Sequence, residues 1–394
     1  MAYAPPADWT TPTMDLVREL ALLEPDVPVL SVYLRTDPRD PANTTHSPGW
    51  LVGLRNGLRA AIRDAEDNGL RHEWLGLRDL RERVEADLLS VGPLERARGL
   101  AWFLSPDGAL DRRLALQIPP REHVVRWDRR PFVSPLVDVV DRGRPAGLVL
   151  VAGEAIRLLR WEAGAVVEPE RSVYELEPRE WRDYAAYAMP NPGRGPSSSH
   201  VATFEQRIAA WRRRFLRDAA SAIGARLEEL GCERVVLAGE RRAAAVLAEA
   251  LPYGARERVV AEIDANLLWA EPAAVAQRLE GDLETAWRRQ ARAIANRAIQ
   301  ASRAGGPGAI GWAEVLDTLL QRRVEHLVFS VGVCAPTLPM PAHVLTALGQ
   351  PSGELLLERA VEQAVASDAG VTALLDADAD ALWAAGGIAA VLRY

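Results

Sequence analysis

Short runs of β-branched and aromatic residues alternate along this chain with longer stretches in which apolar residues recur at helical spacing. The clearest example predicts a strand at 235–239, a helix at 241–250 and a strand at 258–263. Helices and strands in alternation pack as layered α/β or α+β structure. The chain has 394 residues, which exceeds the roughly 250–300 residues that one hydrophobic core serves, so we expect several domains.

The pattern predicts three domains of mixed α/β and α+β class. Residues 1–143 contain strands around a pair of helices and are predicted to form an N-terminal α+β domain. Residues 144–270 alternate strand and helix and form a central α/β domain. Residues 271–394 start with a long helix at 271–303 and end in a small α/β domain, in which a strand is predicted near 354–357.

All 47 basic residues are arginine, and the chain contains no lysine. Phosphate-binding loops that end in Gly-Lys, pyridoxal Schiff bases and lysine nucleophiles need an ε-amine, and all are therefore excluded. Recognition of phosphate must use guanidinium groups, which offer planar, bidentate donors and stay charged.

The composition predicts a folded protein of the cytoplasm that needs no cofactor. The apolar runs are far shorter than the roughly 20 residues that span a membrane, and the N-terminus lacks a cationic, apolar leader. Cys232 and Cys334 are isolated, so we expect neither a disulfide framework nor a cysteine metal site. An acidic alternation at 376–380 is typical of a polar turn rather than a calcium loop, because it lacks the required glycine.

One stretch, residues 177–200, shows little periodicity and is dense in proline and glycine towards its end. Such a stretch favours an exposed loop, because proline and glycine interrupt helices and central strands. Thr203 to Gln206 have the sequence of a capping box, which predicts that a helix begins there and runs through 203–230.

Positive charge is concentrated where this loop meets the helix. The net charge of the chain is −7, yet the stretch 191–217 contains only one acidic residue, Glu205. A local patch of this kind can bind phosphate whatever the global charge, although a solvated helix face is the competing interpretation. The candidate RNA-binding residues are Arg194, Arg207, Arg212, Arg213, Arg214 and Arg217.

Several stretches together resemble bacterial homologues of the archaeo-eukaryotic class-1 peptide chain release factors and Pelota. The similarity rests on the opening strand at 31–39, on 233–240 in the centre, and on 311–316, 323–329, 355–369 and 386–394 near the end. The resemblance implies a central RNase H-like domain and a C-terminal domain similar to kink-turn-binding ribosomal proteins.

In that family, a Gly-Gly-Gln loop of the central domain enters the ribosome and places the water that hydrolyses peptidyl-tRNA. The matching position here is 191–200, and the resemblance makes Gly193, Gly195 and His200 the catalytic candidates. The loop contains no glutamine, which counts against hydrolysis, and the family's codon-reading Asn-Ile-Lys-Ser element is also missing.

The sequence therefore predicts a ribosome-associated, release-factor-like protein that acts on peptidyl-tRNA or in ribosome rescue, with the ribosome and tRNA as partners. An alternative is a non-catalytic ribosome- or RNA-binding protein of the same fold. A third hypothesis is a small-molecule hydrolase that uses His200 and a serine. The sequence leaves a partner GTPase and the oligomeric state undetermined.

Overall fold

The structure, a computed structural model, describes residues 9–68, 71–91, 97–176, 198–333, 340–349 and 353–394. Two compact units divide the chain: residues 1–143 with 288–394, and residues 144–287. Each of the three predicted segments contains one sheet. The mixed α/β and α+β multidomain class is thereby confirmed, and the division into three domains stays a prediction.

The N-terminal segment of the first unit contains an antiparallel sheet with strand order β3-β2-β1-β4. Its elements are α1 (Met14–Leu22), β1 (Val29–Arg35), α2 (Gly49–Asn68), α3 (Arg71–Ser90), β2 (Gly99–Leu104), β3 (Asp111–Leu116), β4 (Val124–Asp128) and α4 (Ser134–Arg142), with a 3-10 turn at Pro41–Asn43. Pro119 and Pro120 lack N–H donors and separate β3 from β4, so the apolar residues between 114 and 125 belong to two strands rather than one.

Helices α2 and α3 cover one face of this sheet. Trp102, Leu54 and Leu77 are fully buried in the cluster between them. Gly57 lets α2 approach β4 closely, since a Cβ atom there would lie 2.6 Å from the Cβ of Val125. The close approach removes the apolar stripe of α2 from water and stabilises the sheet from this side.

The second unit contains a sheet with strand order β10-β9-β5-β6-β7, to which β8 adds by pairing with β6. Strands β5, β9 and β10 run parallel, and β6 runs antiparallel to β5. The elements are β5 (Ala146–Val151), β6 (Ala155–Glu162), β7 (Ala165–Val167), β8 (Val173–Glu175), α5 (Ser198–Glu229), β9 (Arg234–Gly239), α6 (Arg241–Ala250), α7 (Tyr253–Arg256) and β10 (Val259–Ile263). Helix α8 (Pro272–Arg303) follows.

Helix α5 begins at Ser198, five residues before the predicted start. Thr203 lies inside the helix, so the prediction of a capping box at Thr203–Gln206 is wrong. The last proline before the helix is Pro196, and no residue between it and Thr203 interrupts a helix. The predicted loop accordingly ends before Ser198.

The C-terminal segment of the first unit contains a sheet with strand order β11-β14-β12-β13. Its elements are β11 (Gly308–Ile310), α9 (Trp312–Leu320), β12 (Val324–Ser330), α10 (Ala342–Ala347), α11 (Gly353–Ala366), β13 (Gly370–Leu374), a 3-10 turn at Asp376–Ala379, α12 (Asp380–Trp383) and β14 (Ile388–Leu392). The predicted strand near 354–357 is wrong, because α11 occupies these residues.

Candidate nucleic-acid interface

The carboxyl ends of the three parallel strands β5, β9 and β10 lie together at one edge of the central sheet. Val151 of β5 lies opposite Gly239 of β9, and Ile263 of β10 lies opposite Ala238, one residue before that end. We call this edge, with the turns and helix ends attached to it, the carboxyl edge. In open sheets of parallel strands, ligands bind at this edge.

Helix α5 runs antiparallel to β5 and extends beyond the carboxyl edge. A Cβ atom on Gly147, near the start of β5, would lie 2.1 Å from a methyl group of Leu227. A Cβ atom on Gly153, just after β5, would lie 2.8 Å from the Cδ of Arg212. The helix is therefore level with the end of the strand at Arg212, and residues 198–211 project about 20 Å further at 1.5 Å per residue.

The predicted RNA-binding arginines lie on this helix at and near its projecting part. Arg207, Arg213 and Arg217 are exposed, and within the described residues they make no ion pair or hydrogen bond. Arg214 is also exposed, and its Nε lies 3.6 Å from Asp218, a separation at which an exposed pair contributes little. Four guanidinium groups are therefore available to an anionic partner.

Arg212 differs from its neighbours. Its Nη2 donates to Glu154 at 2.8 Å, and its side chain packs over Gly153. The ion pair joins α5 to the turn between β5 and β6. Arg212 therefore holds the helix against the sheet, and its charge is already partly neutralised.

The described residues on either side of the predicted catalytic loop lie at the carboxyl edge and beyond it. The N–H of Leu176 donates to the carbonyl of Glu154 at 3.1 Å, and Glu175 pairs with Ala155 beside the turn. The chain is next described at Ser198, where α5 begins beyond the edge. Gly193, Arg194 and Gly195 lie outside the described residues, and His200 is placed by its backbone in the first turn of α5, with its side chain outside the description.

Two further arginines at this edge were not predicted from the sequence. Gly239 has a φ of +145° and ends β9 so close to β5 that a Cβ would lie 1.9 Å from the Val151 carbonyl oxygen. Helix α6 begins two residues later with Arg241 and Arg242, both exposed. A helix N-terminus favours anions. The signal in the sequence that could have placed these two arginines in the site is their position directly after a strand.

The described part of the second unit contains no histidine side chain, and its cysteine is unsuited to nucleophilic chemistry. Cys232 is buried near the start of β9, and burial raises the pKa of its thiol to about 11.

Elsewhere, Asp378 of the acidic stretch accepts a hydrogen bond from Arg288 at 2.5 Å and lies 3.3 Å from Arg292. No group of acidic, histidine and cysteine side chains in the described residues could hold a metal ion. Nor does any described helix have the length and apolar character to cross a membrane.

Residues 131–284 match the family model described as bacterial archaeo-eukaryotic release factor family 10. The matched residues include every strand of the central sheet and all of α5. The resemblance predicted from the sequence is confirmed, and residues 131–284 are similar to bacterial homologues of the archaeo-eukaryotic release factors. Within that class the match is to family 10, and it supports a release-factor-like role in translation.

Three known proteins are similar to this chain. The uncharacterized protein YocB of Bacillus subtilis is 22% identical over 227 residues, which cover 57% of this chain and 82% of YocB. The crystal structure of an archaeal translation termination factor, aRF1, is 18% identical with a TM-score of 0.25 and covers 98% of this chain and 99% of that one. A model of ribosome-bound archaeal Pelota is 13% identical with a TM-score of 0.37 and covers 98% and 95%.

Proposed function

We propose that this protein is a ribosome-associated, release-factor-like protein that grips RNA phosphates at the carboxyl edge of its central sheet. The supporting observation is the projecting helix α5, on which Arg207, Arg213 and Arg217 lie exposed without a partner among the described residues. A protein that neutralises several phosphates gains affinity from the release of counterions. The guanidinium groups stay charged at every physiological pH.

The proposed substrate-facing element is the segment 177–197. The described residues that flank this segment support the proposal, because Leu176 lies at the carboxyl edge and Ser198 begins α5 beyond that edge. In this proposal, α5 holds the phosphates of tRNA or ribosomal RNA and the segment approaches the acceptor end of peptidyl-tRNA. Arg194, Gly193 and Gly195 are the candidates for that approach.

We propose binding, rather than hydrolysis of the Gly-Gly-Gln type, as the core activity. Residues 177–200 contain no glutamine, and among the described residues of the second unit no histidine side chain offers a general base. The role is then ribosome rescue, or a related step in which binding to the ribosome is sufficient without hydrolysis of peptidyl-tRNA. The small-molecule hydrolase hypothesis depends on His200 and stays a prediction.

The test is co-sedimentation with ribosomes over a salt series, paired with a peptidyl-tRNA hydrolysis assay. Replacing Arg207, Arg213 and Arg217 by alanine should reduce the slope of log K against log salt by about two to three, since each arginine–phosphate contact contributes about one. The matched control replaces three exposed arginines of the same unit that lie off α5, namely Arg171, Arg256 and Arg278.

The two variants lose the same formal charge and differ in position, and in the pairing of Arg278 of the control with Asp282 at 3.0 Å. A slope that changes equally in both would show that the net charge, and not α5, governs binding. Absence of ribosome binding by the unmodified protein at low salt would remove the proposed function altogether. Efficient peptidyl-tRNA hydrolysis would overturn the assignment of binding as the core activity.

A further inference from the structure

Trp269 is an exposed tryptophan presented at the tip of a tight turn. Its relative exposure is 64%, whereas Leu268 beside it is buried. The N–H of Ala270 donates to the carbonyl of Leu267 at 3.0 Å, which closes the turn 267–270 around Trp269. The indole presents a large, flat apolar surface that is accessible to a partner.

The turn is fixed by a buried arginine that grips the peptide groups on both sides of Trp269. The Nη1 of Arg157 donates to the carbonyl of Leu268 at 3.0 Å and to that of Ala270 at 2.6 Å. Arg157 is buried in strand β6, 111 residues away along the chain. Two carbonyls held by one guanidinium leave the turn little freedom.

We call the hydrogen bonds from Arg157 to Leu268 and Ala270 the clamp. The charge of Arg157 in this clamp is balanced by the carboxylate of Glu168. The Nε of Arg157 donates to one carboxylate oxygen at 2.9 Å, and its Nη2 donates to the other. Ser172 donates a further hydrogen bond to Glu168 at 2.7 Å. The hydrogen bond from Arg157, together with that from Ser172, lowers the pKa of Glu168 to about 2, so the pair stays ionised under all physiological conditions.

The clamp places Trp269 at the carboxyl edge. Arg157 pairs with Leu150, which pairs with Ala238, and both lie one residue before the ends of β5 and β9. The turn between β5 and β6, where Glu154 binds Arg212, lies three residues from Arg157. Trp269 is therefore attached to the same end of the sheet as the arginines but on the face opposite α5, because Ile156 and Leu158, which flank Arg157 on β6, belong to the apolar cluster that packs against α5.

We infer that Trp269 is a stacking platform for an unpaired RNA base whose backbone is held by the arginines of the carboxyl edge. The inference deepens the proposed function and rests on it. Nucleic-acid grooves combine guanidinium groups that follow the phosphates with aromatic faces on which bases stack. A rigid indole loses little entropy when it meets a base, and the excess of arginine at this edge favours RNA over an apolar protein surface.

The test measures the affinity for two labelled strands of twelve nucleotides, one of oligoadenylate and one with abasic sites throughout. Both carry the same phosphates, and only the first can stack. We expect Trp269→Ala to weaken binding of oligoadenylate roughly ten-fold or more and to leave the abasic strand unaffected. Trp269→Phe should retain most of the affinity, whereas Trp269→Leu, which is apolar without an aromatic face, should not.

The matched control is Tyr253→Ala. Tyr253 is an exposed aromatic residue of the same unit, 79% exposed, and it lies beside Pro252, which packs on Gly224 of α5 away from the carboxyl edge. This control should bind both strands as the unmodified protein does. An equal loss in Tyr253→Ala would overturn the assignment to Trp269.

The outcomes separate the inference from the proposed function. Unchanged oligoadenylate binding by Trp269→Ala, with the triple arginine variant still weakened, overturns the inference, leaves the proposed function standing and assigns Trp269 to a protein contact instead. Base-dependent binding that needs Trp269 but not the arginines overturns the role of α5. An unmodified protein that binds neither strand at low salt but co-sediments with ribosomes overturns the inference alone, and one that binds neither the strands nor ribosomes overturns both.

Discussion

The carboxylate of Glu358 accepts hydrogen bonds from the backbone N–H of Ser134, which lies 3.2 Å and 3.3 Å from its two oxygens. A short hydrogen bond from the N–H of Val133 completes the contact. Ser134 is the first residue of α4, whose N-cap residue offers no side-chain acceptor. Glu358 of α11 therefore caps a helix more than 200 residues earlier in the chain and joins the two segments of the first unit.

Glu358 should make stability depend on pH. Burial raises its pKa to about 7, nearby Glu362 adds to the rise, and the hydrogen bonds from α4 oppose it. The folded state therefore holds a proton that the unfolded chain has lost above pH 4.5. Stability attributable to Glu358 is greatest below that pH and falls as pH rises towards 7, by up to about 1.4 kcal/mol per pH unit.

The measurement is the urea midpoint of the full chain and of Glu358→Gln between pH 5 and pH 8. The variant should lack the decline between pH 5 and 7. Glu82→Gln is the control, because Glu82 is exposed in the same unit. Parallel pH profiles for the unmodified protein and Glu358→Gln would show that Glu358 does not titrate in this range.

Neighbouring arginines on α5 should separate stability from binding. Arg212→Ala removes the ion pair with Glu154 and the packing on Gly153, so we expect the free energy of unfolding to fall by about 1 kcal/mol. Arg213→Ala removes an exposed side chain and should change stability by less than about 0.5 kcal/mol. Arg213→Ala should nevertheless weaken RNA binding, as measured by co-sedimentation. The reverse assignment, with Arg213 affecting stability alone, would contradict the geometry.

Gly239 and Gly281 should respond in opposite directions to alanine. Gly239 has a φ of +145° and meets the Val151 carbonyl, so Gly239→Ala should cost about 3 kcal/mol or more. Gly281 lies within α8 with no atom near its missing Cβ, so Gly281→Ala should stabilise the protein by about 0.5–1 kcal/mol. Thermal unfolding of both variants checks this pair. A tolerated Gly239→Ala would mean that β5 and β9 do not meet as described.

Asp37 should contribute stability that is lost in acid. Burial by itself raises the pKa of this carboxyl, but hydrogen bonds from Arg39 and Arg98 outweigh burial and hold the pKa at about 2. The contribution is therefore complete above about pH 4 and disappears as pH falls towards 2. Asp37→Asn should lower the free energy of unfolding by about 1–3 kcal/mol at pH 7, with the difference vanishing near pH 2 in urea titrations. A difference that persists at pH 2 would point to packing instead.

Local periodicity predicted much of the fold, and its failures have local causes. Helix α6 was predicted at its observed bounds, because its apolar residues recur at helical spacing and one face of the helix is buried. The segment 354–357 was mistaken for a strand because α11 is buried on more than one side. Leu356, Ala360 and Val361 are buried, as are Glu358 and Glu362, so no polar face reveals the helical period.

The arginines of the candidate site were predicted as a group, but their separate roles were not. The scarcity of acids near 207–217 is visible in the sequence. That Arg212 is paired with Glu154 while Arg213 is exposed depends on which side of α5 faces the turn between β5 and β6. Arg241 and Arg242 lie at the site because β9, which precedes them, pairs with β5 and ends at the same edge of the sheet.

The sequence by itself determined the type of charged donor that the chain carries, its resemblance to release factors and most helices and strands. A chain without lysine offers phosphate the guanidinium group as its permanently charged side-chain donor, and apolar spacing indicates which face of a local element is buried. Tertiary structure alone decided that Arg157 grips the peptides around Trp269 and that Glu358 caps α4. These contacts join residues more than 100 positions apart, and they form because packing brings a buried charged side chain next to backbone groups that are distant along the chain.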